Sequence, residues 1–175
     1  MMRRIVAVAC LLTLICATAW AGSPDSKMTP EQMAAMKAEF MKCAVCKSLG
    51  AHFDELMPVM KMEAVKLNNG TAVFHKVTDP SKVAMFHASC DQMMKAGAET
   101  AKMTDEQAKA QLCSFCQDMR SVMMAGAKMS TGKTKNGDLM VLSSDDPAVQ
   151  AKLADLHNKC AMMAGDVPAQ AQAAK

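Results

Sequence analysis

The sequence predicts a mainly α protein: a duplicated helix–β-hairpin–helix unit forming a pseudo-twofold four-helix arrangement with two small hairpins. Three observations lead there. The pattern C-x2-C-x40-H-x2-C-x2-M occurs twice at a constant offset of 70, from Cys43, Cys46, His87, Cys90 and Met93 to Cys113, Cys116, His157, Cys160 and Met163. Apolar residues recur in steps of three and four around both cysteine pairs, the period of an amphipathic helix. Between the helical stretches of each unit lies an Asn-Gly pair flanked by extended-type runs, a strong hairpin signal.

The elements follow in order. Residues 1–21 read as a cleaved signal peptide: Arg3 and Arg4, an apolar run from Ile5 to Cys16, then Ala19-Trp20-Ala21 as an A-x-A cleavage site. That run is shorter than the roughly 20 apolar residues a spanning helix needs, and nothing after it is long and apolar enough. The expectation is export, periplasmic or secreted, after cleavage near Ala21. The first repeat is placed at 22–97. Its long helix opens on Thr29-Pro30-Glu31-Gln32, a capping box with proline at the first helical position. The stripe Met33, Met36, Phe40, Cys43, Cys46, Leu49, Phe53, Leu56 carries that helix through the cysteine pair towards Pro58. A hairpin around Asn69-Gly70 follows, and Asp79-Pro80 caps a second helix with Val83, Phe86, Cys90 and Met93 on its apolar face.

The second repeat, 98–165, opens at Thr104 and follows the same plan through a hairpin at Asn136-Gly137 to a last helix bearing Val149, Leu153, Leu156, Cys160 and Met163. Hairpin and Asp-Pro elements align at an offset of 67, so the cysteine spacing is kept while the middle slides by three residues. Residues 166–175 have no stripe and read as a disordered tail.

Composition excludes several functions. Without the signal the chain has 18 basic and 17 acidic residues, a formal charge of +1, so there is no electrostatic case for nucleic acid. The only tryptophan leaves with the signal and tyrosine is absent, which removes base-stacking platforms. Eighteen methionines lie outside the signal; most fall on helical stripes, where Met is an adaptable core filler. No Ser-His-Asp order, phosphate loop or paired carboxylate stands out. Covalent haem needs C-x2-C-H, but Lys47 and Gln117 occupy the fifth positions, so no haem is expected.

The cysteines and histidines carry the chemistry. Residues three apart share a helix face, so Cys43 and Cys46 point together, as do His87 and Cys90. Antiparallel packing would gather them into a Cys3His set suited to tetrahedral Zn2+. Met93 would add a thioether favouring Cu(I). Cys113, Cys116, His157, Cys160 and Met163 form the second such set. The leading expectation is therefore two equivalent Zn or Cu(I) sites in an exported helical protein. Four protein ligands leave no open position for substrate, so the role would be structural, buffering or trafficking, not catalysis. Expected partners are the metal ion and, for trafficking, another exported protein.

Two alternatives stand beside this. Six cysteines in an exported protein commonly form three disulfides, which gives a disulfide-stapled scaffold or binding protein without metal. Three cysteines per unit is an odd number, however, and leaves the histidines unexplained. Third is a thiol-disulfide oxidoreductase, which wants its reactive cysteine at a helix N-terminus. The stripe instead puts Cys43 inside a helix. His52 and His75 have no counterparts and are expected on the surface.

Overall fold

The computed structural model describes residues 29–165; the expected signal and tail lie outside them. Among these residues, seven α-helices accompany one four-stranded antiparallel sheet. The order is α1 (Pro30–Lys42), α2 (Lys47–Ala51), α3 (Phe53–Leu56), β1 (Met60–Leu67), β2 (Gly70–Val77), α4 (Val83–Glu99), α5 (Asp105–Gln111), α6 (Ser114–Met124), β3 (Lys128–Thr134), β4 (Gly137–Ser143) and α7 (Pro147–Ala164).

This corrects the expected fold class. The chain is not a mainly α four-helix arrangement with two small hairpins outside. The hairpins join through their second strands, in the order β1-β2-β4-β3, into a continuous sheet. The physical reason is the cost of an isolated hairpin, which is marginal in water and presents open edges on both sides. Pairing β2 with β4 removes two of the four edges and makes one apolar face large enough to pack helices on.

The β2–β4 register is symmetric. It runs from Gly70 opposite Ser143 to Lys76 opposite Gly137, with Val73 facing Met140 at its centre, 67 residues away. Contacts recur at that offset: the Val77 amide donates to the Asn136 carbonyl (2.7 Å) and the Ser144 amide to the Asn69 carbonyl (3.0 Å). The glycines show why the Asn-Gly pairs exist. The two-residue turns are Asn68-Asn69 and Lys135-Asn136, because Leu67 pairs with Gly70 and Thr134 with Gly137. Both glycines are therefore strand residues. A Cβ at Gly70 would overlap the Leu142 carbonyl oxygen, and one at Gly137 the His75 carbonyl oxygen. Close approach of backbones, not turn conformation, requires glycine here.

One sheet face is buried: Thr71, Val73, Val77 and Leu142 are at most 2% exposed. Leu142 packs with Val149, Leu153 and Leu156 of α7 and Val122 of α6. Val77 packs with Phe86 of α4 and with Leu49 and Leu56. Burying side chains of this size contributes about 1.5–3 kcal/mol each, so these two clusters dominate stability. A third cluster, which shares Phe40 and Met93 with the Val77–Phe86 group, contains the cysteine pairs with Ala108 and Leu112.

Local signals hold where they are strongest. Thr29 with Gln32 and Thr104 with Gln107 both form complete capping boxes. Asp146 accepts from the Ala148 amide ahead of Pro147, and Asp79 from the Ser81 amide beside Pro80. The first helix, however, does not run through the cysteines. It stops at Lys42, with Cys43 as its extended C-cap (φ −77°, ψ 125°).

Candidate metal centre

Both cysteine pairs sit where a helix breaks and another begins. Cys113 is extended as well (φ −65°, ψ 163°) and is the N-cap of α6. After each first cysteine the chain turns helically, so the Lys47 amide returns to the Cys43 carbonyl (3.1 Å) and the Gln117 amide to that of Cys113 (3.0 Å). The two motifs thus have one local conformation. They are joined by the Ala44 amide, which donates to the Gln111 carbonyl at 2.9 Å. That bond explains the break in the stripe: the backbone leaves the helix at Cys43 to meet the second motif.

The result is one cluster. The sulfurs of Cys43, Cys46, Cys113 and Cys116 all lie within 4.8 Å of one another. Cys46 Sγ is 3.4 Å from Cys116 Sγ and 3.9 Å from Cys113 Sγ. Cys43, Cys46 and Cys116 are buried and Cys113 is half-buried. Phe40, Val45, Met93 and Met103 pack around them. Such a group is compatible with a metal site or with disulfide formation.

Four touching thiols share their protons unevenly. Cys43 is held well below the ordinary thiol range, chiefly by its hydrogen bond with Cys113 and then by those with Cys116 and Cys46. Cys113 is brought down to about 7, chiefly by Cys116, whose backbone amide adds to the effect. Cys46 and Cys116 are pushed up, each chiefly through its hydrogen bond with Cys113, and burial adds to both. Two sulfurs therefore tend towards thiolate while two keep their protons. A bound cation would invert that balance, because thiolates bound to a cation lose their protons outright.

The other expected ligands lie elsewhere. Among the described residues, His87, Cys90, His157 and Cys160 stand outside this group. His87 Nε2 donates to the Gly137 carbonyl at 2.7 Å, and a carbonyl can only accept, so that nitrogen carries the proton. His157 Nδ1 lies 3.1 Å from Thr71 Oγ1. The same hydroxyl lies 3.4 Å from the Val65 carbonyl. Each histidine thus ties the last helix of its own repeat to the hairpin of the other. Cys90 is pushed up by burial and then by Asp138, and Cys160 is pushed up to about 11 by burial, so both remain thiols at neutral pH. Of the methionines, Met93 packs against the tetrad and Met163 is exposed.

His52 and His75, expected on the surface, are both half-buried, and His75 has a specific partner. Its Nδ1 donates to Asp138 Oδ1 at 2.8 Å across the β2–β4 seam. The signal for one shared cluster is present in the sequence: two C-x2-C motifs alone supply four sulfurs. The helix break also corrects the stripe's implication for redox chemistry, because Cys113 does occupy a helix N-terminus. No helix of the described residues is long and apolar enough to cross a membrane. No protein family, curated protein or solved structure matches the chain, so the centre is interpreted from its own geometry.

Proposed function

We propose that the protein binds one thiophilic metal ion, Zn2+ above all, through Cys43, Cys46, Cys113 and Cys116. The observation that carries this reading is the separation of the four sulfurs. Tetrahedral zinc with bonds of ~2.3 Å requires sulfur–sulfur edges of about 3.8 Å. The approaches of 3.4 and 3.9 Å bracket that value, and none in the group exceeds 4.8 Å. A disulfide requires about 2.05 Å. An S4 donor set favours zinc over harder ions, and the four cysteine sulfurs complete a tetrahedral set without a thioether from Met93. The two motifs are expected to act together in an exported protein, where metal binding also keeps their thiols from random oxidation.

The test is metal content after reduction and reconstitution with Zn2+. One ion per chain is expected, lost in Cys46→Ser and retained in Cys90→Ser and Cys160→Ser. Two ions per chain would favour two separate sites. No ion after reconstitution, with three disulfides in the protein as isolated before reduction, would favour the scaffold reading.

A second reading has an observation of its own. Cys113 is half-buried at the N-cap of an eleven-residue helix and is brought down to about 7. That is the setting of an attacking thiol, with Cys46 and Cys116 close enough to resolve a mixed disulfide. Reduction of a small disulfide by the metal-free protein, abolished by Cys113→Ser, would support it.

A further inference from the structure

The tetrad is not enclosed equally on all sides. Cys43, Cys46 and Cys116 are at most 7% exposed, whereas Cys113 reaches partial exposure. On that side a surface cleft of about 210 Å3 opens between the end of α1 and the end of α5. Cys43 and Cys113 line it together with Glu39, Lys42, Gln111 and Leu112. At ~30 Å3 for each water of liquid, the cleft has room for a few small groups, such as a methylene and its sulfur, but not for a folded loop.

We propose that this cleft is the exchange port of the tetrathiolate centre and that its ligand is a small, unhindered thiolate. The inference rests on the metal reading above. Elsewhere Phe40, Val45, Met93 and Met103 pack around the sulfurs. The cleft therefore offers a competing ligand an approach that does not require opening the core. The step is a ligand substitution. With an ion bound, Cys113, the sulfur at the half-exposed side of the tetrad, would be the ligand that yields to an incoming thiolate: the new sulfur would supply its lone pair, the Cys113 bond pair would stay on the Cys113 sulfur, and solvent in the cleft would supply a proton. The ion keeps its oxidation state throughout. Cys43, the other sulfur lining the cleft, is next to be displaced; Cys46 and Cys116 release last. Lys42 and Glu39 offer opposite charges at the rim, so selection is by size and sulfur chemistry rather than by net charge.

The experiment follows zinc transfer from the full, zinc-loaded chain to a chromophoric chelator, with and without L-cysteine. L-cysteine should accelerate transfer in the wild type. Ala110→Trp, at an exposed position lining the cleft, should slow the stimulated rate at least about tenfold, equivalent to ~1.4 kcal/mol of barrier, while one ion per chain is retained. Ser121→Trp, in the separate cleft between α6 and α7, should leave the rate unchanged. Should Ala110→Trp fail to load, Glu39→Trp on α1 places the same obstruction from the opposite wall. A flexible cysteine-containing peptide provides a second thiol source. Stimulation by the peptide at lower concentration than by L-cysteine assigns the thiolate to a protein segment, and the reverse order to a free thiol. Equal rates in the plugged and wild-type proteins, or no stimulation by either thiol in a zinc-loaded wild type, overturn the port. A wild-type chain that binds no zinc overturns the tetrathiolate reading itself.

Discussion

Replacing Gly137 with alanine tests the join between the two hairpins. The new Cβ would overlap the His75 carbonyl oxygen and lie 2.8 Å from its carbonyl carbon and 3.1 Å from Lys76 Cα. All three are backbone atoms of β2, so no side-chain rotation can relieve the clash and β4 must separate from β2. Separation there weakens the end of the register at Lys76–Gly137 and the neighbouring bond from the Val77 amide to the Asn136 carbonyl. It also disturbs the carbonyl that His87 uses. Losing two or three such bonds at about 1 kcal/mol each, against the ~0.5–1 kcal/mol that alanine gains over glycine through the unfolded chain, gives a net loss of roughly 2 kcal/mol. Gly132→Ala is the control: β3 is an edge strand and a Cβ there meets nothing within 4 Å. It should be neutral or stabilising by up to ~1 kcal/mol. Urea unfolding with chelator present, so that metal linkage does not contribute, measures both. Gly70→Ala should repeat the Gly137 result, because its Cβ meets the Leu142 carbonyl in the same way. If Gly137→Ala and Gly132→Ala differ by less than ~0.5 kcal/mol, the hairpins are not joined as described.

Other expectations follow from the same structure. His87→Ala should cost about 1–2 kcal/mol equally with zinc and with chelator, since its partner is a backbone carbonyl; a loss confined to the zinc-loaded protein would make it a ligand after all. Zinc affinity should fall as pH falls, because the ion must displace the protons held on Cys46 and Cys116. Two displaced protons correspond to roughly 100-fold per pH unit near neutrality, and competition titrations that show no pH dependence would remove the thiols from the site. Phe86→Ala, 2% exposed in the core, should cost about 3–5 kcal/mol, and Phe74→Ala, 39% exposed on the open sheet face, less than about 1, both read by urea unfolding.

Much of this architecture was legible in the sequence because it is local. Thr29-x2-Gln32 and Thr104-x2-Gln107 close their own capping boxes, and Asp79 and Asp146 cap beside their prolines. The stripe residues Leu49, Phe53, Leu56, Phe86, Leu153 and Leu156 are all buried. What periodicity could not reveal was where helix gives way under tertiary demand. Cys43 keeps the helical period, yet the Ala44 amide bonds to Gln111, and that long-range bond outweighs one more turn. Nor could hairpin signals show that two edges meet, because β2–β4 pairing joins residues 67 apart at its centre, Val73 and Met140. The glycines did carry that information, in a form that also fitted a turn.

The H-x2-C spacing suggests chemistry, but the contacts of its histidines serve docking. His87 and His157 each reach from one repeat to the hairpin of the other, which gives a physical reason for equal spacing on both last helices without any ion. The surroundings then diverge. Near Cys90 the sheet offers Asp138, paired with His75, whereas the residue 67 positions before Asp138 is Thr71, the partner of His157. The tetrad differs in that each motif contributes two sulfurs to a shared group, so neither motif alone can complete it. A cation bound there would therefore link α1 to α6 as well as neutralise thiolates. Its binding would add RT ln(1 + [L]/Kd) to stability, about 2.7 kcal/mol at a hundredfold excess over Kd. For such a centre, metal occupancy and the union of the two cysteine motifs are one equilibrium, which is why removal of any one sulfur should weaken both together.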